Sequence, residues 1–194
     1  LPADIERHGE DNEKIYFDVI KKVQSDLFLP ISAKISYYAS NLGQHIQQLS
    51  KTDISGIVLF NRFFSPDFDI ENFTVTSGHV LSNSAELAMP LRWVAIMADR
   101  IDCDIAASTG VHSSEDLIKL LLAGANAVQI ASAIYKDGED VISTILQGLE
   151  SWMEKKAFTS IDEFRGKMSQ KAVKDPASFE RVQFMKHFRH FVET

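Results

Sequence analysis

Short apolar segments alternate with amphipathic helical segments along most of this chain, at intervals of about 30 residues. Apolar residues first recur with a helical period over residues 10–27, and a strand–helix unit then follows four times. The predicted strands are residues 30–36, 54–61, 104–107 and 127–131. Strands that alternate with helices in this way form a parallel sheet. The sequence therefore predicts an α/β fold.

Residues 62–83 interrupt this alternation and are interpreted as an insertion or loop with its own strand near residues 73–77. Helical character resumes near Ser84 and extends to about Arg100. Pro90 lies inside this span and predicts a kink or an early break.

Capping signals bound the next helix, and a tail follows the last one. Ser113 and Asp116 have the spacing of a capping box, and Gly124 is the expected helix stop. Residues 170–194 are predicted to be a helical tail that packs through its apolar face and exposes a basic one.

Small residues end the last two predicted strands, at Thr109–Gly110 and at Ala131–Ser132. Small residues let backbone amides approach a ligand closely, and the following helix N-termini favour anions. In an eight-stranded α/β barrel, the loops after strands seven and eight commonly bind phosphate. The alternative is that these residues only permit tight strand–helix turns. Neither turn has a Rossmann or P-loop pattern.

Two polar residues stand out on the first two strands. Lys34 is costly to bury within an apolar strand, so it either points at an anionic ligand or extends from the strand end to water. Asn61 ends its strand, where barrel enzymes place binding groups, but an asparagine there also suits a turn.

Composition excludes several classes of function. The formal net charge of −7 argues against a nucleic-acid partner. No apolar run reaches the roughly 18 residues that a membrane span needs. Cys103 is the only cysteine, so an intrachain disulfide is impossible, which fits a cytoplasmic compartment. Cys103 itself is interpreted as a small buried hydrophobe, and no cysteine–histidine pattern indicates a metal site.

Length sets a further limit on the architecture. A complete (β/α)8 TIM barrel usually takes about 250 residues, whereas this chain has 194. We therefore expect it to supply about the last four strand–helix units of such a barrel. The two outer strands would then have open edges, which the N-terminal half of the barrel or a second copy would cover.

Four segments resemble the dihydroorotate dehydrogenases, and the resemblance extends over nearly the whole chain. They are PISAKIS, FNRFFSPDFDIE, DIAASTGVHSSEDLIKLLLAGANAVQIASAIYKDG and FTSIDEFRGKMS. The chain looks most like the C-terminal half to two-thirds of the soluble class of this family, whose members are FMN-binding barrels. The resemblance implies a single FMN-binding domain over residues 1–194, a homodimer, and oxidation of dihydroorotate to orotate in pyrimidine biosynthesis.

The resemblance also assigns residues to the cofactor. It implies that Lys34 contacts the flavin ring and that Asn61 contacts flavin or substrate. It places residues 82–84, with Ser84 among them, near a family glycine beside the flavin. The two phosphate turns correspond to four residues of this chain: Thr109, Gly110, Ala131 and Ser132.

The start of the chain departs from the family pattern. The soluble class has a Cys-Pro-Asn-type loop whose cysteine is the general base, and Leu1 falls at that position. Leucine cannot accept a proton, and Ala3 replaces a substrate-contacting asparagine. Two alternatives therefore stay open: a flavin-binding barrel without dihydroorotate activity, and a flavin-free barrel that binds a phosphorylated ligand.

Overall fold

The computed structural model describes residues 4–63 and 65–179. Six strands and six α-helices lie in these ranges. The strands are β1 (Ser32–Ile35), β2 (Gly56–Leu59), β3 (Pro66–Asp69), β4 (Thr74–Ser77), β5 (Asp104–Ser108) and β6 (Ala127–Gln129). The helices are α1 (Gly9–Asp26), α2 (Leu42–Ser50), α3 (Ala88–Met97), α4 (Ser114–Ala123), α5 (Ser132–Asp137) and α6 (Asp140–Lys156). Three short 3-10 helices complete the described elements, at Ser84–Leu87, Ile161–Glu163 and Pro176–Phe179.

The main sheet is parallel throughout and has the strand order β1-β2-β5-β6. Each strand pairs with the next one of the main sheet along the chain, and helices intervene, as in part of a (β/α)8 barrel. The predicted α/β class is therefore confirmed. β1 and β6 form the two edges of the sheet, as the sequence predicts.

The two faces of this sheet differ in chemistry because side chains alternate along each strand. Ile35, Leu59 and Ala107 lie in one row of the ladder and belong to the core that packs against the helices. The preceding row, with Lys34 and Ala106, points to the opposite face. That opposite face carries the polar side chains with which the site is built.

Residues 66–77 form an antiparallel hairpin of β3 and β4 within the predicted insertion. Phe68 and Val75 are paired across it, and both are exposed. The last part of the predicted tail, residues 180–194, lies outside the described residues.

Pro90 does not break its helix, contrary to the sequence prediction. The span that begins at Ser84 opens as a 3-10 helix, and α3 starts only at Ala88. Pro90 therefore lies in the first turn of α3, where its missing N–H would have had no partner in the helix.

The cap predictions for α4 are confirmed. The Ser113 hydroxyl accepts a hydrogen bond from the N–H of Asp116, whose carboxylate accepts one from the N–H of Ser113. Gly124 ends the helix in the left-handed conformation, with φ of 119°. These caps determine where the loop after β5 ends.

The buried ring of His45, on α2, packs against aromatic rings of α1, and one of its nitrogens makes no hydrogen bond to the described residues. It is 3% exposed, and the rings of Tyr16 and Phe17 meet it edge-on at 5.3 and 5.7 Å. Its Nδ1 has no hydrogen-bond partner among the described residues. Burial lowers the pKa of His45, and the carboxylate of Glu13 opposes that effect.

Stability is expected to fall as the pH drops below about 6.5, the ordinary histidine value. Because the folded-state pKa of His45 is lowered, the unfolded chain binds more protons in that range, so acid favours unfolding. A single group limits the slope to about 1.4 kcal/mol per pH unit. Urea unfolding at pH 5.5 and 7.5 measures this pH dependence of the free energy of unfolding. The dependence is expected to be weaker in His45→Gln. An unchanged dependence in that variant would show that other titratable groups cause it.

Candidate functional site

A cavity opens at the carboxyl ends of the four main strands, where the strand–helix loops meet. Its volume is about 200 Å³, and it is open to solvent on one side. Six of the seven residues predicted to bind the cofactor line it: Lys34, Asn61, Thr109, Gly110, Ala131 and Ser132. The loops after β5 and β6 thus border one space, together with the lysine of β1.

Lys34 brings its ammonium group to the wall of this cavity. Its Nζ donates to the hydroxyl of Ser108 at 3.2 Å and to the side-chain oxygen of Gln129 at 3.4 Å. All three side chains rise from the sheet face opposite the helices. The lysine thus spans from β1 to β6 across the cavity floor.

Two serine hydroxyls are arranged as hydrogen-bond donors. Ser108 accepts from Lys34, and Ser132 accepts from the N–H of Ser82 at 2.9 Å. A hydroxyl that accepts with one lone pair still has its own proton to donate. Both hydroxyls can therefore donate to a ligand in the cavity.

The charge of the lining favours an anion. Lys34 and Arg62 are cationic, and none of the lining residues is a carboxylate. Arg62 is partly neutralised by Glu86, which its Nε contacts at 2.6 Å. Although the formal net charge of the chain is −7, the charged residues that line this cavity are cations, which attract negatively charged ligands.

The loop after β5 requires small residues for two separate reasons. Thr109 and Gly110 both have positive φ, at 90° and 81°. A Cβ atom on Gly110 would lie 2.3 Å from the backbone nitrogen of Leu87. The loop therefore needs glycine for its own packing as well as for access to a ligand.

Asn61 continues the line of β2 beyond its last residue. Its N–H donates to the carbonyl of Ile35 at 2.7 Å. Its side-chain amide makes no hydrogen bond to the described residues, although the residue lines the cavity. The amide is thus available to a ligand.

Ser84, the seventh predicted residue, does not line this cavity, whereas Ser82 does. The side chain of Asn83 caps the 3-10 helix by accepting from the N–H of Ala85, and Ser84 opens that helix as an exposed residue. Ser82, two residues earlier, is 4% exposed and lies against the loops after β5 and β6.

Arg62 ties the end of the insertion to β2, a role that the sequence analysis did not detect. Its guanidinium donates to the carbonyls of His79 at 2.5 Å and Val80 at 2.7 Å, in addition to Glu86. Burial raises the pKa of Glu86, but the hydrogen bonds from Arg62 and Asn83 outweigh it, and the net shift is downward. The only nearby sequence pattern was the capping box from Asn83 to Glu86, and it does not indicate a partner for Arg62.

A second cavity of about 150 Å³ adjoins the first and shares Asn61, Arg62 and Thr109 with it. Tyr37 and Phe60 contribute aromatic surface, with ring centroids 5.8 Å apart in an edge-to-face arrangement. The two cavities together have space for a ligand that joins a flat apolar part to an anionic group.

Cys103 lines neither of the two cavities. Burial, and then the carboxylates of Asp104 and Asp102, raise the pKa of the Cys103 thiol. Cys103 is half-buried and packs against the core, in line with its interpretation as a small hydrophobe. Residues 4–63 and 65–179 contain no cluster of side chains suited to a metal ion.

The comparisons with known proteins agree on one family. Residues 5–153 match the family model described as Dihydroorotate dehydrogenase. The chain belongs to the dihydroorotate dehydrogenase family. The resemblance seen in the sequence is thus confirmed.

Curated relatives match most of this chain but only part of their own length. The catalytic subunit of dihydroorotate dehydrogenase B (NAD(+)) from Pyrococcus furiosus is 29% identical over 165 residues, which cover 81% of this chain and 53% of the relative. The same subunit from Methanothermobacter thermautotrophicus matches with the same identity and coverage. The chain thus spans about half the length of the curated relatives it matches.

A solved structure supports the fold. The dihydroorotate dehydrogenase of Eimeria tenella, crystallised with ferulenol, superposes with a TM-score of 0.57 at 21% identity, covering 70% of this chain and 37% of that one. In the described part of the chain, no helix has the length and apolar character to span a membrane.

Proposed function

We propose that this chain forms the flavin-binding part of an FMN-dependent oxidoreductase of the dihydroorotate dehydrogenase type. The observation that carries the proposal is the shared cavity, in which Lys34 and the loops after β5 and β6 meet. The donor set fits FMN because an ammonium and two donating hydroxyls suit a phosphate and ring carbonyls. The adjoining aromatic cavity adds space for a flat ring system.

Each lining residue has a role in this proposal. Ser132 and the turn at Thr109 and Gly110 bind the phosphate, while Ala131 keeps the second turn small enough for close approach. Lys34 stabilises negative charge on the bound ring system, since a cation already fixed at the cavity wall needs little reorganisation to meet that charge. Asn61 orients substrate or ring through an amide that both donates and accepts. Bound FMN would supply the hydride-accepting chemistry.

The proposed substrate is a small molecule, dihydroorotate, and the proposed product is orotate. The names of the curated relatives support this choice. Leu1 and Ala3, which fall at the positions of the base and of a substrate-contacting asparagine, lie outside the described residues. A leucine at the base position favours a second candidate, a flavin-binding barrel without dihydroorotate turnover.

Lys34→Met is expected to weaken FMN binding about 10- to 100-fold. Methionine is similar in length to lysine but lacks the charged ammonium group that donates hydrogen bonds. Quenching of flavin fluorescence during titration measures the change. Lys119→Met is the matched control, since Lys119 makes a surface ion pair with Glu115 on α4. Equal affinities in the wild type and Lys34→Met would refute the role of Lys34.

The same titration separates the candidate functions. A wild-type protein that binds no FMN would favour the flavin-free phosphate-binding barrel. If FMN binds, anaerobic addition of dihydroorotate is expected to bleach the flavin absorbance. Binding without bleaching would favour the non-catalytic flavoprotein.

We also propose that another polypeptide segment completes the sheet. Among the described residues, β1 and β6 each have one edge without a neighbouring strand, and such edges pair readily. The N-terminal half of a barrel would cover both, and a homodimer would add a second copy. The single Cys103 suits a cytoplasmic location. Sedimentation of the isolated chain as a stable, monodisperse monomer would argue against the need for a covering segment.

A further inference from the structure

Ser82 is held at the cavity wall by hydrogen bonds from three directions. Its N–H donates to the hydroxyl of Ser132 at 2.9 Å, and its carbonyl accepts from Nζ of Lys136 at 2.6 Å. Its own hydroxyl lies 3.1 Å from Nε2 of His112. Because the residue is 4% exposed and its backbone is fixed on both sides, the main freedom left is the direction of its hydroxyl proton.

The direction of that proton depends on the imidazole. A His112 ring with an unprotonated Nε2 accepts the Ser82 proton, and Ser82 then presents only lone pairs to the cavity. A ring protonated at Nε2 donates instead, which frees the Ser82 proton for a ligand. When the imidazole is charged, both ring nitrogens carry protons and only the second arrangement remains. The Ser82 hydroxyl then lies next to a positively charged ring.

We propose that His112, acting through Ser82, links phosphate binding in this cavity to proton uptake. The inference rests on the proposed function, because it concerns the phosphate of the ligand placed beside Ser132. The Ser132 hydroxyl accepts from the backbone N–H of Ser82, and both residues line the cavity, so a phosphate bound at Ser132 lies close to Ser82. Protonation of His112 therefore leaves only the arrangement in which the Ser82 proton is free for a ligand, and it adds a positive charge near the bound anion. His112 is a positioning residue in this scheme.

Charged groups lie on the elements that surround His112. On α4, the carboxylate of Asp116 accepts from the N–H of His112 at 3.0 Å, and Glu115 is paired with Lys119. On α5, Lys136 is bonded to the Ser82 carbonyl. On the segment before the 3-10 helix Ser84–Leu87, the titratable side chain is His79. Glu86 lies within that helix and is paired with Arg62, which follows β2.

The test compares FMN with riboflavin, which lacks the phosphate, across pH 5.5 to 8. FMN affinity is measured at pH 8 and at pH 5.5 in the wild-type chain and in His112→Gln. The gain in affinity at the lower pH is expected to be about tenfold larger in the wild type than in His112→Gln. The comparison with His112→Gln is needed because the FMN phosphate itself takes up a proton near pH 6. Riboflavin affinity is expected to show no such difference. Calorimetry in two buffers of different ionisation enthalpy should report proton uptake that His112→Gln reduces.

Two further variants test the route of the effect. Ser82→Ala is expected to lose most of the pH-dependent gain while still binding FMN, and a full wild-type profile in that variant would overturn the proposal. His79→Gln is the matched control, because His79 belongs to the same segment but does not line the cavity. A loss in His79→Gln equal to that in His112→Gln would also overturn it.

The outcomes separate this inference from the proposed function. Identical pH profiles for FMN in the wild type and His112→Gln would reject the role of His112 and leave the flavin proposal standing. Failure of both FMN and riboflavin to bind at every pH would reject both. If His112→Gln does not fold, the wild-type proton uptake and Ser82→Ala decide the question.

Discussion

Gly110→Ala is expected to destabilise the protein by about 3–5 kcal/mol, the range of the most disruptive single substitutions. The added Cβ would lie 2.3 Å from the nitrogen and 2.7 Å from the Cα of Leu87, and 2.8 Å from the carbonyl carbon of Glu86. These are backbone atoms, so no side-chain rotation relieves the contact. The loop after β5 and the 3-10 helix must separate, which also opens the cavity. Denaturant unfolding and FMN titration measure the two effects.

Gly138→Ala is the matched control for this substitution. Gly138 has nearly the same φ, 79° against 81°, but a Cβ there would meet nothing within 4 Å. It therefore incurs only the conformational cost, about 1–3 kcal/mol, of a backbone region that L-residues rarely adopt, with φ of 79° and ψ of 179°. Equal losses in the two variants would show that backbone conformation, and not the contact with Leu87, makes Gly110 necessary.

Phe164→Ala is expected to destabilise the protein by about 3–5 kcal/mol, as is typical of a large aromatic removed from a core. Phe164 is fully buried, and its ring lies 5.0 Å from Trp152 and 5.3 Å from Phe158. It belongs to the cluster that joins α4 to α6, with Leu121 and Leu149 as further members. The loss would be read from the free energy of unfolding in denaturant.

The aromatic control lies on the hairpin. Phe73 is 92% exposed, so Phe73→Ala is expected to change stability by no more than about 0.5 kcal/mol. A small effect of Phe164→Ala, similar to that of Phe73→Ala, would mean that the segment after α6 does not contribute to the cooperative core.

Backbone hydrogen bonds explain why the effect of Phe164 should extend beyond its own cluster. The N–H groups of Gly166 and Met168 donate to the carbonyls of Leu121 and Leu122, at 3.0 and 2.8 Å. These carbonyls belong to the last turn of α4, where no N–H four residues further along the helix remains to donate to them. Leu121 also accepts from the N–H of the cap residue Gly124. The segment after α6 therefore completes the end of α4.

Local sequence signals predicted the order of elements and most of the cavity. Periodicity located the four main strands, and each observed strand begins within two residues of its predicted start. The capping box at Ser113 and the stop at Gly124 formed as predicted because they depend on atoms three to five residues apart. Six of seven predicted binding residues line one cavity because parallel strands bring their carboxyl ends to the same edge.

The contacts that shape the rest of the cavity join residues far apart in sequence. Arg62 contacts Glu86, which is 24 residues away, and Ser82 contacts His112, which is 30 residues away. Neither pair has a periodic or motif signature. The choice between Ser82 and Ser84 as the lining residue also required the position of the Asn83 cap.

The sequence by itself determined the parallel α/β arrangement, the helix ends and the strand ends that carry polar residues, because each follows from hydrogen bonding and side-chain alternation within a short stretch of chain. Only the tertiary structure decided which of those polar groups meet. The meeting of Lys34 with Ser108 and Gln129 depends on the sheet register. The position of Ser82 depends on how the end of the insertion lies over the loops after β5 and β6, and that placement results from packing between distant segments.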